Sequence, residues 1–166
     1  MLIHPALLGL ACMLLLTDAL PHNQDLARRG SSGCDKPAFF SGVTQYRFFK
    51  SSGKDRSYSF HLPSTYDANK AYPVVVGFHG SSSIGAFFEL DTKMSEARYS
   101  GEKIMVYPNG LGGSWAGPTY HEDSTVAEDV QFVADVINDV KSKSCVDEEK
   151  VFGVGYAAHG LSHGSR

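Results

Sequence analysis

Near its end the chain carries Gly160-Leu161-Ser162-His163-Gly164, the form Gly-x-Ser-x-Gly. In that pattern a tight strand-to-helix turn holds a serine hydroxyl exposed for attack on a carbonyl carbon, so the chemistry on offer is acyl transfer with Ser162 as nucleophile. A serine alone is a weak nucleophile at neutral pH and needs a base, usually a histidine oriented by a carboxylate. His159, His163 and His121 are the histidines nearest in sequence, and nothing in the sequence places any of them as that base. The turn also needs a helix after it, and only Ser165 and Arg166 follow.

Other chemistry-bearing patterns fail on their surroundings. Gly153-Val154-Gly155-Tyr156-Ala157-Ala158 fits a loose dinucleotide fingerprint, but no helix and no second βα unit follow it. His159 and His163 have the spacing of metal ligands on a helix, and Gly160 and Gly164 argue against a helix there. "HEDST" at 121–125 lacks the second histidine of a zinc protease. The 18 acidic residues include Glu122-Asp123 and Glu128-Asp129, yet nothing singles out two carboxylates facing one cleft, as a glycosidase needs. The expectation is therefore no metal and no cofactor.

The elements that would position a serine centre read as alternating strands and helices. Thr44–Lys50 and Arg56–Leu62 are aromatic-rich strands joined by the glycine turn in "SSGKD", a hairpin. "PVVVGF" (Pro73–Phe78) is a continuous apolar run suited to a strand buried on both faces. "FFELDTKMSEARYSG" predicts a helix stopped by Gly101, and "KIMVYP" (Lys103–Pro108) a second buried strand. A long polar loop surrounds the only tryptophan, Trp115. "STVAEDVQFVADVINDVKSK" predicts a helix capped by Ser124 or Thr125, with Val130, Val133, Val136, Ile137 and Val140 as its buried stripe. "KVFGVGYA" is the last strand. This order implies an α/β fold, a mostly parallel sheet with flanking helices.

At 166 residues, with 42% hydrophobic and 20% charged residues, the chain has one domain's worth of globular sequence. A net charge of −3 gives no basic surface for nucleic acid. "ALLGLACMLLL" (6–16), followed by small residues, reads as a secretory signal over 1–19, although no Lys or Arg precedes it; the other reading is an interfacial anchor. Once the signal is cleaved, no membrane association is expected. Residues 20–29 end in Arg28-Arg29, a processing site or a solvated charge pair. With Cys12 in the signal, Cys34 and Cys145 form an even set, and a bridge between them would tie the start of the mature chain to the segment before the last strand.

"RSYSFHLPSTYDANKAYPVVVGFHG", "VYPNGLGGSW", "EDVQFVADVINDV" and "SCVDEEKVFGVG" occur in one order with natural spacings. Together they resemble the fungal feruloyl esterases of the polyhydroxybutyrate depolymerase-like group, which are α/β-hydrolases. The likeness runs from about Cys34 to Gly155. It implies secretion, and hydrolysis of the esters that join ferulic acid to plant cell-wall xylan. The expected partner is thus a feruloylated polysaccharide or a small aryl ester. It further implies a serine, histidine and acid set, and an oxyanion hole in the loop His79-Gly80-Ser81-Ser82, with Gly80 and Ser81 as donors. His79 reads either as a residue that shapes this loop or as a proton carrier. Trp115 reads either as an aromatic wall for a feruloyl ring or as a packing anchor.

In the family register Gly155 is the first glycine of the nucleophile turn, and the nucleophile position falls on Ala157, whose methyl group cannot attack. His159 stands where the second glycine belongs. The α/β-hydrolase order of Ser, then Asp or Glu, then His cannot be completed after Ser162. The sequence thus leads to the expectation of 30–166 as the amino-terminal half of an esterase domain, truncated or changed in reading frame just past Gly155. Its last strand would be an edge with apolar surface facing water. A non-catalytic secreted fragment, binding cell-wall polysaccharide or a partner, is the alternative.

Overall fold

The computed structural model describes residues 30–38, 40–117 and 123–156. The expected signal and propeptide, His121, Ala157, His159, Ser162 and His163 lie outside the described residues.

Strands β1 (Thr44–Ser51) and β2 (Lys54–His61) form an antiparallel hairpin with Ser51 opposite Lys54. The two turn residues, Ser52 and Gly53, have φ of 51° and 77°, the left-handed pair that matches the twist of a two-residue hairpin. Strands β3 (Tyr72–Phe78), β4 (Ile104–Pro108) and β5 (Val146–Gly155) complete a sheet of order β1-β2-β4-β3-β5. β4 runs parallel to β3 and antiparallel to β2, and β5 runs parallel to β3. The sheet is therefore mixed, the hairpin supplying its antiparallel half.

Successive residues of a strand face opposite sides, so the valine run of β3 serves two cores. Val74 and Val76 join Tyr58, Phe60, Ile104 and Val106 beneath helix α3 (Val126–Lys143), which contributes Phe132, Val136 and Val140. Val75 joins Met105, Tyr107 and Phe88 on the other face, under helix α1 (Gly85–Thr92). The α3 start is a capping box. Thr125 Oγ1 accepts the Glu128 N–H at 3.2 Å, and Glu128 Oε2 accepts the Thr125 N–H at 2.8 Å.

Several expected details are corrected. The segment predicted as one helix to Gly101 is two, α1 and the single turn α2 (Ala97–Ser100), because Lys93 turns left-handed at φ 56° and its N–H closes on the Glu89 carbonyl. The buried face of α3 is Asp129, Phe132, Val136 and Val140, while Val130 is 65% exposed. The apolar stripe misleads here because a charged residue, Asp129, takes a core position by pairing. β5 begins earlier than "KVFGVGYA". Among the described residues it lies at the sheet edge, with Phe152 and Val154 exposed.

The start of the described chain is stitched to the α3–β5 junction. Gly30 bridges Asp147, Ser31 Oγ donates to the Ser144 carbonyl at 2.7 Å, and Cys34 and Cys145 form a disulfide. Among the described residues no helix is long and apolar enough to cross a membrane.

Candidate active site

β3, β4 and β5 run in the same direction, and their carboxyl ends carry three segments that meet: residues 79–84, residues 109–117 and Tyr156. Ligands of open α/β sheets bind at such ends. His79 opens the first segment and is buried at 1% exposure. Its Nε2 accepts the Gly110 N–H at 2.9 Å, and its Nδ1 lies 2.7 Å from the Gly80 carbonyl. This fixes a neutral ring with the proton on Nδ1. Burial lowers its pKa, against a smaller opposing effect of the Gly80 carbonyl. Both ring nitrogens are engaged by backbone, so His79 shapes the loop and has no nitrogen left to carry a proton to a substrate.

Beyond His79 the backbone donors divide. The Ser82 N–H is taken by Ser114 Oγ at 3.1 Å and the Ser83 N–H by the Gly113 carbonyl at 3.1 Å. The Gly85 N–H donates to Asn109 Oδ1 at 2.7 Å. The N–H groups of Gly80 and Ser81 have no acceptor among the described residues. Among the described residues, a methyl group added at Gly80 would meet only Tyr156 Cβ, at 3.9 Å. The Tyr156 N–H donates to the Phe78 carbonyl at 3.2 Å, and its ring packs edge-on against Phe88. The described end of β5 is therefore held beside this loop.

Trp115 does two things at once. Its Nε1–H donates to the His79 carbonyl at 3.0 Å, and its ring packs between Phe78 and Phe132. Half-buried, it also walls a shallow apolar hollow of about 320 Å³ with Phe78, Ala116, Val126, Val130 and Val133. Two larger hollows, of about 750 and 570 Å³, lie along β1 and beside His61, and neither is lined by the loop. Among the described residues no three His, Cys, Asp or Glu side chains gather as a metal site.

No protein-family profile matches the chain. Individual relatives do. The probable feruloyl esterase C of Aspergillus niger is 31% identical over an alignment of 138 positions that covers 76% of this chain and 44% of that protein. That of Aspergillus clavatus is 32% identical over 143 positions, covering 80% of this chain and 46% of the relative. The chain is a relative of the fungal feruloyl esterases. It spans less than half the length of these curated relatives. A ferulic acid esterase from Anaeromyces mucronatus, solved with ferulic acid, superposes with a TM-score of 0.53 at 18% identity, covering 75% of this chain and 52% of that structure. A thermostable esterase superposes at 0.56 with 19% identity, covering 68% and 34%. These likenesses establish the α/β-hydrolase fold.

Within this feruloyl esterase relative, the described candidates Gly80, Ser81 and Trp115 come together, while Ser162 lies outside the described residues. Sequence reasoning gave no role to Ser114, Asn109 or the Arg56–Asp129 pair. The available signal was the glycine-dense "NGLGGSW". Gly113 sits at φ 81° with Ser83 O 3.3 Å from where its Cβ would be, so two loops touch backbone to backbone there.

Proposed function

We propose that this chain carries the oxyanion-binding part of a carboxylic ester hydrolase of feruloyl type. The observation that carries this reading is the pair of N–H groups at Gly80 and Ser81, without acceptors among the described residues, in a chain whose relatives are feruloyl esterases. Attack on an ester builds negative charge on the carbonyl oxygen, and each donor fixed in advance stabilises that charge by about 3 kcal/mol. Gly80 and Ser81 supply those donors, Trp115 supplies a wall for the aryl ring, and Ser162 is the candidate nucleophile.

In this reading residues 1–19 direct export and 20–29 are removed at Arg28-Arg29. The domain 30–166 then works outside the cell on feruloylated polysaccharide or small aryl esters. The chemistry calls for a hydroxyl, a base and donors and for no metal or cofactor; the described residues supply the donors and not the base.

The test is hydrolysis of methyl ferulate by the purified full chain, followed by ultraviolet absorbance. Ser81→Pro deletes one donor and is expected to lower kcat by roughly 100-fold or more with little change in KM. Ser162→Ala is expected to abolish turnover and labelling by a fluorophosphonate. A folded chain that neither hydrolyses methyl ferulate nor takes the label overturns the reading.

A further inference from the structure

The two donors at Gly80 and Ser81 do not hold themselves in place. Five hydrogen bonds run between residues 79–85 and residues 109–115: Gly110 N–H to His79 Nε2, Trp115 Nε1–H to His79 O, Ser82 N–H to Ser114 Oγ, Ser83 N–H to Gly113 O, and Gly85 N–H to Asn109 Oδ1. The second segment is itself anchored at both ends. At its start the Asn109 N–H donates to the Ser57 carbonyl at 3.0 Å, and Asn109 Nδ2 to Ser57 Oγ at 2.9 Å. At its end the Ala116 N–H donates to the buried Asp129 carboxylate at 2.7 Å.

Of the five bonds, the one at Ser82 bears most directly on the donors. Ser82 is a non-glycine residue at φ 56°, a left-handed conformation that side chains disfavour and that persists only where the surroundings hold it. The hydroxyl of Ser114, a residue 1% exposed, accepts the N–H of that residue. Among the described residues it is the side-chain acceptor at the step after Ser81, and it takes up the Ser82 N–H at 3.1 Å.

We propose that Ser114 is a positioning residue, whose hydroxyl locks the left-handed turn at Ser82 and thereby aims the Gly80 and Ser81 N–H groups at the substrate oxygen. The aim of the donors rests on the reading above; the lock does not. Ser114 touches neither substrate nor reacting atoms, so its effect belongs in the transition state, where charge develops, and not in substrate affinity.

The experiment compares the full-length wild type with S114A and S114C on two readouts. The first is amide hydrogen exchange of residues 80–83, which needs no activity. S114A is expected to speed exchange at Ser82 at least ten-fold, and S114C, with its poorer acceptor, by less. The second is methyl ferulate kinetics, where S114A is expected to lower kcat about ten-fold with KM moved less than two-fold. Unchanged exchange at Ser82 in both variants overturns the lock, and a rise in KM at unchanged kcat overturns its role in aiming the donors. If the wild type is inactive, the proposed function falls, and the exchange result alone decides whether Ser114 holds the turn. Both substitutions are no bulkier than a thiol, and if one fails to fold, the other carries the comparison.

Discussion

The Arg56 guanidinium lies 2.9 Å from the Asp129 carboxylate and 3.8 Å above the Phe132 ring, with the two charged side chains only 1% and 9% exposed. The pair joins β2 to α3, and through Asp129 it also fastens the Ala116 N–H. Removing one member leaves a buried charge without its counterpart. Asp129→Ala is therefore expected to cost about 3–5 kcal/mol, and the Arg56→Met, Asp129→Leu double variant much less. Urea unfolding of the three proteins checks this, and equal losses for single and double variants would refute it.

The buried face of α3 makes a second prediction. Val136 is fully buried and Val130 is 65% exposed. Val136→Ala should cost about 2 kcal/mol, from two methyl groups and the space they leave. Val130→Ala should stay within about 0.5 kcal/mol. Melting temperatures measured side by side give the contrast, which the sequence-based stripe would have made equal.

On acidification, stability is expected to fall first through two histidines. Burial lowers the pKa of His79 and of His61, in the latter against the opposing charge of Glu89. The unfolded chain then binds protons more readily than the folded one. The stability these neutral rings contribute is complete above about pH 6.5 and declines as pH falls towards their lowered folded values, by at most about 1.4 kcal/mol per pH unit for each. Glu128 is held below the usual carboxylate range, first by its hydrogen bond from Lys54, so its effect enters only below about pH 4.5. Melting temperature should therefore drop between pH 6.5 and 5, and His61→Gln should flatten part of that slope. An unchanged slope would count against the assignment.

The disulfide closes a loop with a sequence separation of 111. Replacing Cys145 by Ser should cost up to about 5 kcal/mol through the freed unfolded chain. Comparing denaturant midpoints of wild type, C145S and reduced wild type tests it; the latter two should agree.

The frame of the molecule was legible because it rests on local patterns. "SSGKD" marks the hairpin turn, three consecutive valines mark a strand with two covered faces, and Ser124 or Thr125 marks a helix start, which the structure resolves to Thr125. What was not legible depends on distant partners. Asp129 reads as one half of an acidic pair that nothing singles out, and only the arrival of Arg56 from β2 turns it into a core residue. Ser114 reads as one serine among many, since its role needs Ser82 from another loop. Lys93 has no sequence mark of a left-handed stop, and so one helix was expected where two exist. His79 offered two roles, and the count of its ring contacts chose between them.

The bond between Cys34 and Cys145 also has a topological effect. The covalent ring it closes contains β1 to β4, α1 to α3, and the segments around both His79 and Trp115. A protease that nicks this ring once, for instance in the exposed stretch near Ser64 and Thr65, detaches nothing, because both pieces stay on one molecule until a reductant arrives. β5 begins just outside the ring, so a single cut beyond Cys145 could release it.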